Sequence, residues 1–254
     1  MITDEEGRLF YQSQPERGAY GGFGSLQIYR GRSPGSWRDA HPGGWQRHHA
    51  VFNQFGAIPE YCFYCYKILI TPRTVIELFK LPLVFDRILL PDNNSRKCMA
   101  EGREDCAGTY KGFVYCREID EAKLVKGIVR EIAAAGISPD VHIAMKRGCS
   151  EFSQAYQRFS PKKPGIVPMK YAEDWRAHEE FVDQHTDFHA ATFNVWTDKK
   201  TTYDPAEVYA MQYWPSYAAT IGDNSYLRIA GRTLVPLPQL KRRSLTFKAP
   251  QPHL

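Results

Sequence analysis

No apolar run in this chain is long enough to cross a bilayer. The greasiest stretch, Val75 to Leu90, is broken by Lys80, Pro82 and Asp86, and nothing approaches the ~20 apolar residues a spanning helix needs. A basic, then greasy leader is also lacking. The chain opens Met1-Ile2-Thr3-Asp4-Glu5-Glu6, so a cytoplasmic protein without membrane association is expected. An excess of one charge is nearly absent: the net +5 is scattered, with short runs at Lys162-Lys163, Lys199-Lys200 and Lys241-Arg242-Arg243. These read as solvated loops and a basic tail, not as the one-sided basic face of a dedicated nucleic-acid module. The glycine cluster Gly18-Ala19-Tyr20-Gly21-Gly22-Phe23-Gly24 lacks the Gly-Lys-Ser/Thr ending, which argues against a phosphate-binding loop of that type. No internal repeat is present, and Cys62-Phe63-Tyr64-Cys65 has no second Cys-x-x-Cys to answer it.

What is there begins with 254 residues, 43% of them hydrophobic and 13% aromatic, enough for a sizeable core. Three regions are expected: a Gly/aromatic-rich 1–60 packing on the core, an α+β core over 61–152, and a helical 153–254 ending in a basic, proline-rich tail. The six cysteines of a chain kept in a reducing compartment are free, metal-bound or catalytic rather than disulfide-bonded.

Residues 61–152 carry the clearest pattern. Tyr66-Lys67-Ile68-Leu69-Ile70 is β-rich, and Thr71-Pro72 offers an N-cap with proline at the first helical position. Val75, Leu78 and Phe79 fall at helical spacing before Pro82. Arg96 to Arg103 and Tyr110 to Cys116 read as the second and third strands. Between Asp120 and Ala135 an apolar stripe of Ala122, Val125, Ile128, Val129 and Ile132 marks a helix, with Asp120 as cap and Gly136 as stop. Val141 to Lys146 supplies the fourth strand, closed by Arg147-Gly148-Cys149. This order is the ferredoxin-like, split βαβ pattern: four antiparallel strands in spatial order fourth, first, third, second, with two helices on one face. Outside it, Ser25 to Tyr29 is strand-like, Trp45 to His49 falls in a turn-rich segment, and Ala172–Asp183 and Pro205–Thr220 look helical. Pro215 is expected to kink or split the last of these.

That fold brings thiols together. Cys62 and Cys65 precede the first strand, Cys116 ends the third and Cys149 follows the fourth, and these three strands are neighbours about 4.8 Å apart. Four sulfurs at one end of a sheet suit zinc, or alternatively an iron-sulfur cluster. Cys98 is the substitute ligand, and Cys106 lies at the opposite end. Two other readings stand beside this one: ordinary buried cysteines, and a redox or nucleophilic Cys62/Cys65 pair. Arg147 and Glu151 would tune a cluster from its surroundings.

His185-Thr186-Asp187-Phe188-His189 places three ligand-type side chains at every second position, with Glu179 and Asp183 on the preceding helix. His48 and His49 lie just ahead of the cysteine pair and are further candidates for a thiol or catalytic site. Lys111-Gly112-Phe113-Val114-Tyr115 partly resembles the aromatic third-strand motif of RNA-recognition domains. It departs from that motif in lacking the Gly/Ala-Phe step, and the first strand offers only Tyr66 as an aromatic, so no family membership follows.

The leading expectation is a metal-stabilised intracellular binding or assembly protein, with a protein or small molecule as partner. The runner-up is a metal- or thiol-dependent enzyme using a cleft between sheet and flanking regions, its catalytic candidates being His48, His49, His185, Asp187 and His189. The third is a single-stranded nucleic-acid binding protein.

Overall fold

The computed structural model describes residues 27–30, 44–102, 108–161, 165–186, 203 and 205–234. Five short runs form strands: β1 (Gln27–Arg30), β2 (Tyr66–Thr71), β3 (Arg96–Ala100), β4 (Tyr110–Cys116) and β5 (His142–Arg147). They make one sheet in the order β1-β3-β4-β2-β5, with every neighbouring pair antiparallel. The described helices are α1 (Gly44–Phe55), α2 (Glu60–Tyr64), α3 (Val75–Arg87), α4 (Ile119–Gly136), α5 (Ser150–Ala155), α6 (Trp175–His185), α7 (Pro205–Thr220) and α8 (Leu227–Ala230). The architecture is therefore mixed α/β on an antiparallel sheet. It has five strands where the sequence reading expected four, because β1 pairs along the outer edge of β3 and covers its free backbone groups.

Strand side chains alternate between faces, so residues in register share one. Ile28, Cys98, Gly112, Ile70 and Ile143 follow one another across the sheet. On this face lies the main core, filled by Leu78, Leu81 and Phe85 of α3, Val125, Val129 and Ala133 of α4, and Ala210, Trp214 and Ala218 of α7. Each large apolar side chain buried there contributes about 2 kcal/mol. Gly112 lets α3 sit close, since a Cβ at that position would lie 3.0 Å from Leu81.

A second apolar cluster joins α1, α2, α5 and α6 through Val51, Ile58, Phe63, Phe152, Phe159, Trp175 and Val182. Phe63 sits at its centre, its ring meeting those of Phe159, Tyr171 and Trp175. Arg47 of α1, 1% exposed, is enclosed here because its whole guanidinium is paired. It donates from Nε and Nη2 to both oxygens of Asp183 (2.5 and 2.8 Å), and from Nη1 to Glu179 (2.8 Å). The other Glu179 oxygen accepts from the Glu60 amide and the Tyr171 hydroxyl. One buried ion pair thus ties α1, α2 and α6 together.

Four local expectations are corrected. Thr71 is not a helix cap but the last residue of β2, held in register with His142. Thr74 caps α3 instead, its side chain accepting from the Glu77 amide at 3.3 Å. Helix α3 then runs past Pro82 to Arg87, and α7 runs through Pro215 as one element; in both, packing on the core outweighs the proline penalty. The Trp45–His49 segment is helix, not turn, within α1. Asp120 does not cap α4, whose N-cap is Glu118; it pairs with Lys123 at 2.7 Å. Among the described residues no helix is long and apolar enough to cross a membrane.

Candidate functional site

Backbone pairing brings the cysteine-bearing segments to one end of the sheet. Tyr66 lies opposite both Cys116 and Arg147, and the Gly148 amide donates to the Cys65 carbonyl at 2.8 Å. The side chains then separate, because alternation sends successive residues to opposite faces. Cys116 shares Tyr66's face and enters the main core beside α4. Cys149 meets Lys67, one residue further along β2, and packs with Cys62 in the second cluster. Cys98 is fully buried in the main core under α3. Among the described residues no group of three or more His, Cys, Asp or Glu is placed to hold a metal ion.

Burial pushes the thiols of Cys62, Cys98 and Cys116 well above the ordinary range, and that of Cys65 up to about 12. Of these, Cys98 and Cys116 lie in the main core and Cys62 in the second cluster.

Two contacts set the remaining thiols apart. His48 of α1 lies with Nδ1 3.0 Å from the Cys62 sulfur, both groups buried. Lys67 donates from Nζ to Cys149 Sγ at 3.1 Å. Burial alone would lower the pKa of Lys67; the neighbouring Cys149 sulfur, first among several groups, reverses this and raises it. His49 is exposed on the next position of α1, near enough to Glu151 to feel its charge. His185 is exposed at the end of α6, stacked on Phe181 with ring centroids 4.0 Å apart, and far from being a ligand set of its own. Asp187, His189 and Cys106 lie outside the described residues. Arg147 spans the rings of Phe63 and Phe159 and donates to both backbone carbonyls, a structural clamp between sheet and second cluster.

Lys67 also belongs to a surface that the sequence reading only touched. On the face away from α3, α4 and α7, one cross-strand row reads Tyr29, Lys97, Phe113, Leu69, Ala144. The next reads Tyr115, Lys67, Lys146. All eight are half-buried. The Lys97 ammonium stands 5.6 Å from the ring centroids of both Tyr29 and Phe113, and Lys67 stands 5.1 Å from that of Tyr115. Gln27 accepts from Lys97 at 2.8 Å, and Ser150 from Lys146 at 2.6 Å. No strand residue of this face is acidic; Lys111 pairs with a buried carboxylate, Glu101, at 3.0 Å. Chemically the face sets lysine ammoniums over aromatic rings. The legible signal was Lys111-x-Phe113-x-Tyr115, a period-two run; the matching Tyr29, Lys67 and Lys97 come from other strands and are joined to it by register alone.

Comparison with known proteins adds no relative: no protein-family description matches the chain, and neither a curated protein nor a solved structure matches it significantly.

Proposed function

We propose that this protein binds single-stranded nucleic acid on the sheet face built from Tyr29, Lys97, Phe113, Tyr115, Lys67 and Lys146. The observation behind the proposal is the interleaving of lysines and rings across four adjacent strands. A single strand presents flat bases on a phosphate backbone; aromatic side chains stack the bases at about 1–3 kcal/mol each, and lysines neutralise the phosphates. A duplex would gain little, because its bases already stack on one another. The strand order β5-β2-β4-β3 supports reading this core as a ferredoxin-like unit extended by β1. In that reading the face of its central strands away from α3, α4 and α7 is the binding platform, and those helices are its support.

The metal-stabilised reading has less behind it, since among the described residues no group of three or more potential ligands is placed to hold an ion. Fluorescence anisotropy with labelled single-stranded RNA and DNA oligomers tests the proposal. Binding is expected at about 50 mM salt and should weaken steeply by about 200 mM. A duplex of the same sequence should compete poorly. No binding at low salt, or affinity indifferent to salt, would discard the reading.

A further inference from the structure

The thiols at the rim of this face share a geometry that nucleic-acid binding does not use. Cys149 is half-buried, while Cys62, Cys65, Cys98 and Cys116 are buried. Its sulfur accepts from the Lys67 ammonium at 3.1 Å, so an anionic sulfur there has its countercharge already in place. Cys62 belongs to the same apolar cluster, and the Cys149 sulfur is near enough to act on its charge. Gly148, next to Cys149, has a left-handed φ of +53°, and a Cβ on it would lie 3.4 Å from the Cys62 carbonyl oxygen. The chain at Gly148 thus packs on the Phe159 ring and passes the Cys62 carbonyl, and Cys149 joins the apolar cluster that holds Cys62. Cys62 in turn has its own base, His48 Nδ1 at 3.0 Å. Cys65 is differently engaged: its sulfur points at the Tyr66 carbonyl. One solvent-reached thiol beside a cation, next to one enclosed thiol beside an imidazole, is the division of labour of an attacking and a resolving cysteine.

We propose that Cys149 and Cys62 form an oxidant-responsive pair, with hydroperoxides as the oxidant class. The Cys149 thiolate attacks the peroxide; a sulfur–oxygen bond forms, the O–O bond breaks, and hydroxide (or alkoxide) leaves, giving Cys149 sulfenic acid. The Cys62 sulfur then attacks that sulfenic sulfur. His48 takes the Cys62 proton and returns it to the departing hydroxide as water, and a Cys62–Cys149 disulfide remains. Cys149 is oxidised by two electrons and the peroxide is reduced by two. The disulfide draws Cys149 off Lys67 and so alters the cation beside Tyr115, but the pair stands independently of what the sheet face binds.

The test uses the full chain, reduced, then exposed to stoichiometric hydrogen peroxide, quenched with a maleimide and mapped by mass spectrometry without reduction. A Cys62–Cys149 linked peptide is expected, preceded at early times by a dimedone-trapped sulfenic acid on Cys149. Cys62→Ser loses the linked peptide and accumulates the dimedone adduct; Lys67→Met slows Cys149 oxidation near neutral pH by about tenfold. The wild-type time course reads the pair without any variant, so it decides the matter even where a variant folds poorly. Oxidation of Cys149 no faster than that of free glutathione, or a disulfide from Cys149 to Cys65 or Cys106 instead of Cys62, overturns the proposal. Loss of oligonucleotide binding has no bearing on this readout.

Discussion

At the scale of single residues, Arg47 and Asp223 show how polar groups hold this molecule. Arg47 is sealed among apolar neighbours, with Glu179 and Asp183 completing its bonding. Arg47→Ala leaves Glu179 charged and 5% exposed without its partner. The expected loss is about 3 kcal/mol, the low end for a broken buried pair because Asp183 remains in reach of water; the urea midpoint measures it. Asp223 accepts from the Val75 amide (2.7 Å), the Tyr110 hydroxyl (2.8 Å) and the Ser225 amide (3.0 Å), linking α3, β4 and the turn before α8. Burial pushes its carboxyl pKa up, but these bonds, those from Ser225 first, hold it below the ordinary 3.8. A carboxylate with a depressed folded pKa stabilises the protein above its unfolded value and loses that contribution as pH falls through the folded one. Asp223→Asn should therefore be less stable than wild type at neutral pH, with the gap closing below about pH 4 in parallel acid-unfolding curves.

At the scale of elements, propensity and packing divide the work. The strands β2 and β4 follow their β-rich runs closely, and α4 follows its apolar stripe. The start of α3 does not follow the Thr71-Pro72 signal, because a stronger one lies three residues on: Thr74-x-x-Glu77, a threonine cap with a glutamate at the third helical position. Thr74→Ala should cost about 1 kcal/mol in thermal or urea unfolding. Equal stability of that variant would mean that the core contacts of Leu78 and Leu81 alone set the boundary. The short α2 and α5 were invisible to periodicity, since five or six residues are too few to show a helical stripe. They form because Phe63 and Phe152 anchor them in the second cluster.

At the scale of the whole molecule, the two cores separate support from surface. The main core fixes α3, α4 and α7 beneath the sheet, and the second cluster closes the end where β2 begins and β5 finishes. The opposite face keeps its rows of lysines and rings. If that face is the platform proposed above, Phe113→Ala and Tyr115→Ala should each weaken single-strand affinity by roughly tenfold or more with unchanged folding. Lys97→Met should lower affinity uniformly across sequences and flatten the salt dependence by about one phosphate contact. Anisotropy titrations at several salt concentrations separate the two effects. Ring variants that bind as wild type would remove the face from the argument.

The sequence by itself determined the strand runs of β2 and β4, the long helix α4, the extent of α7 and the gathering of cysteine-bearing segments at one sheet end. The strands rest on their β-rich runs and α4 on its apolar stripe, while the gathering rests on the order of the elements. Tertiary structure decided what became of the thiols. Cys116 points from the end of β4 into the main core and Cys149, beyond the end of β5, meets Lys67; among the described residues no group of three or more potential metal ligands gathers. Strand alternation, acting across register, assembled Tyr29, Lys97, Phe113, Tyr115 and Lys67 into one surface from four strands. No window along the chain contains that surface, because cross-strand neighbours are set by pairing and not by distance in sequence.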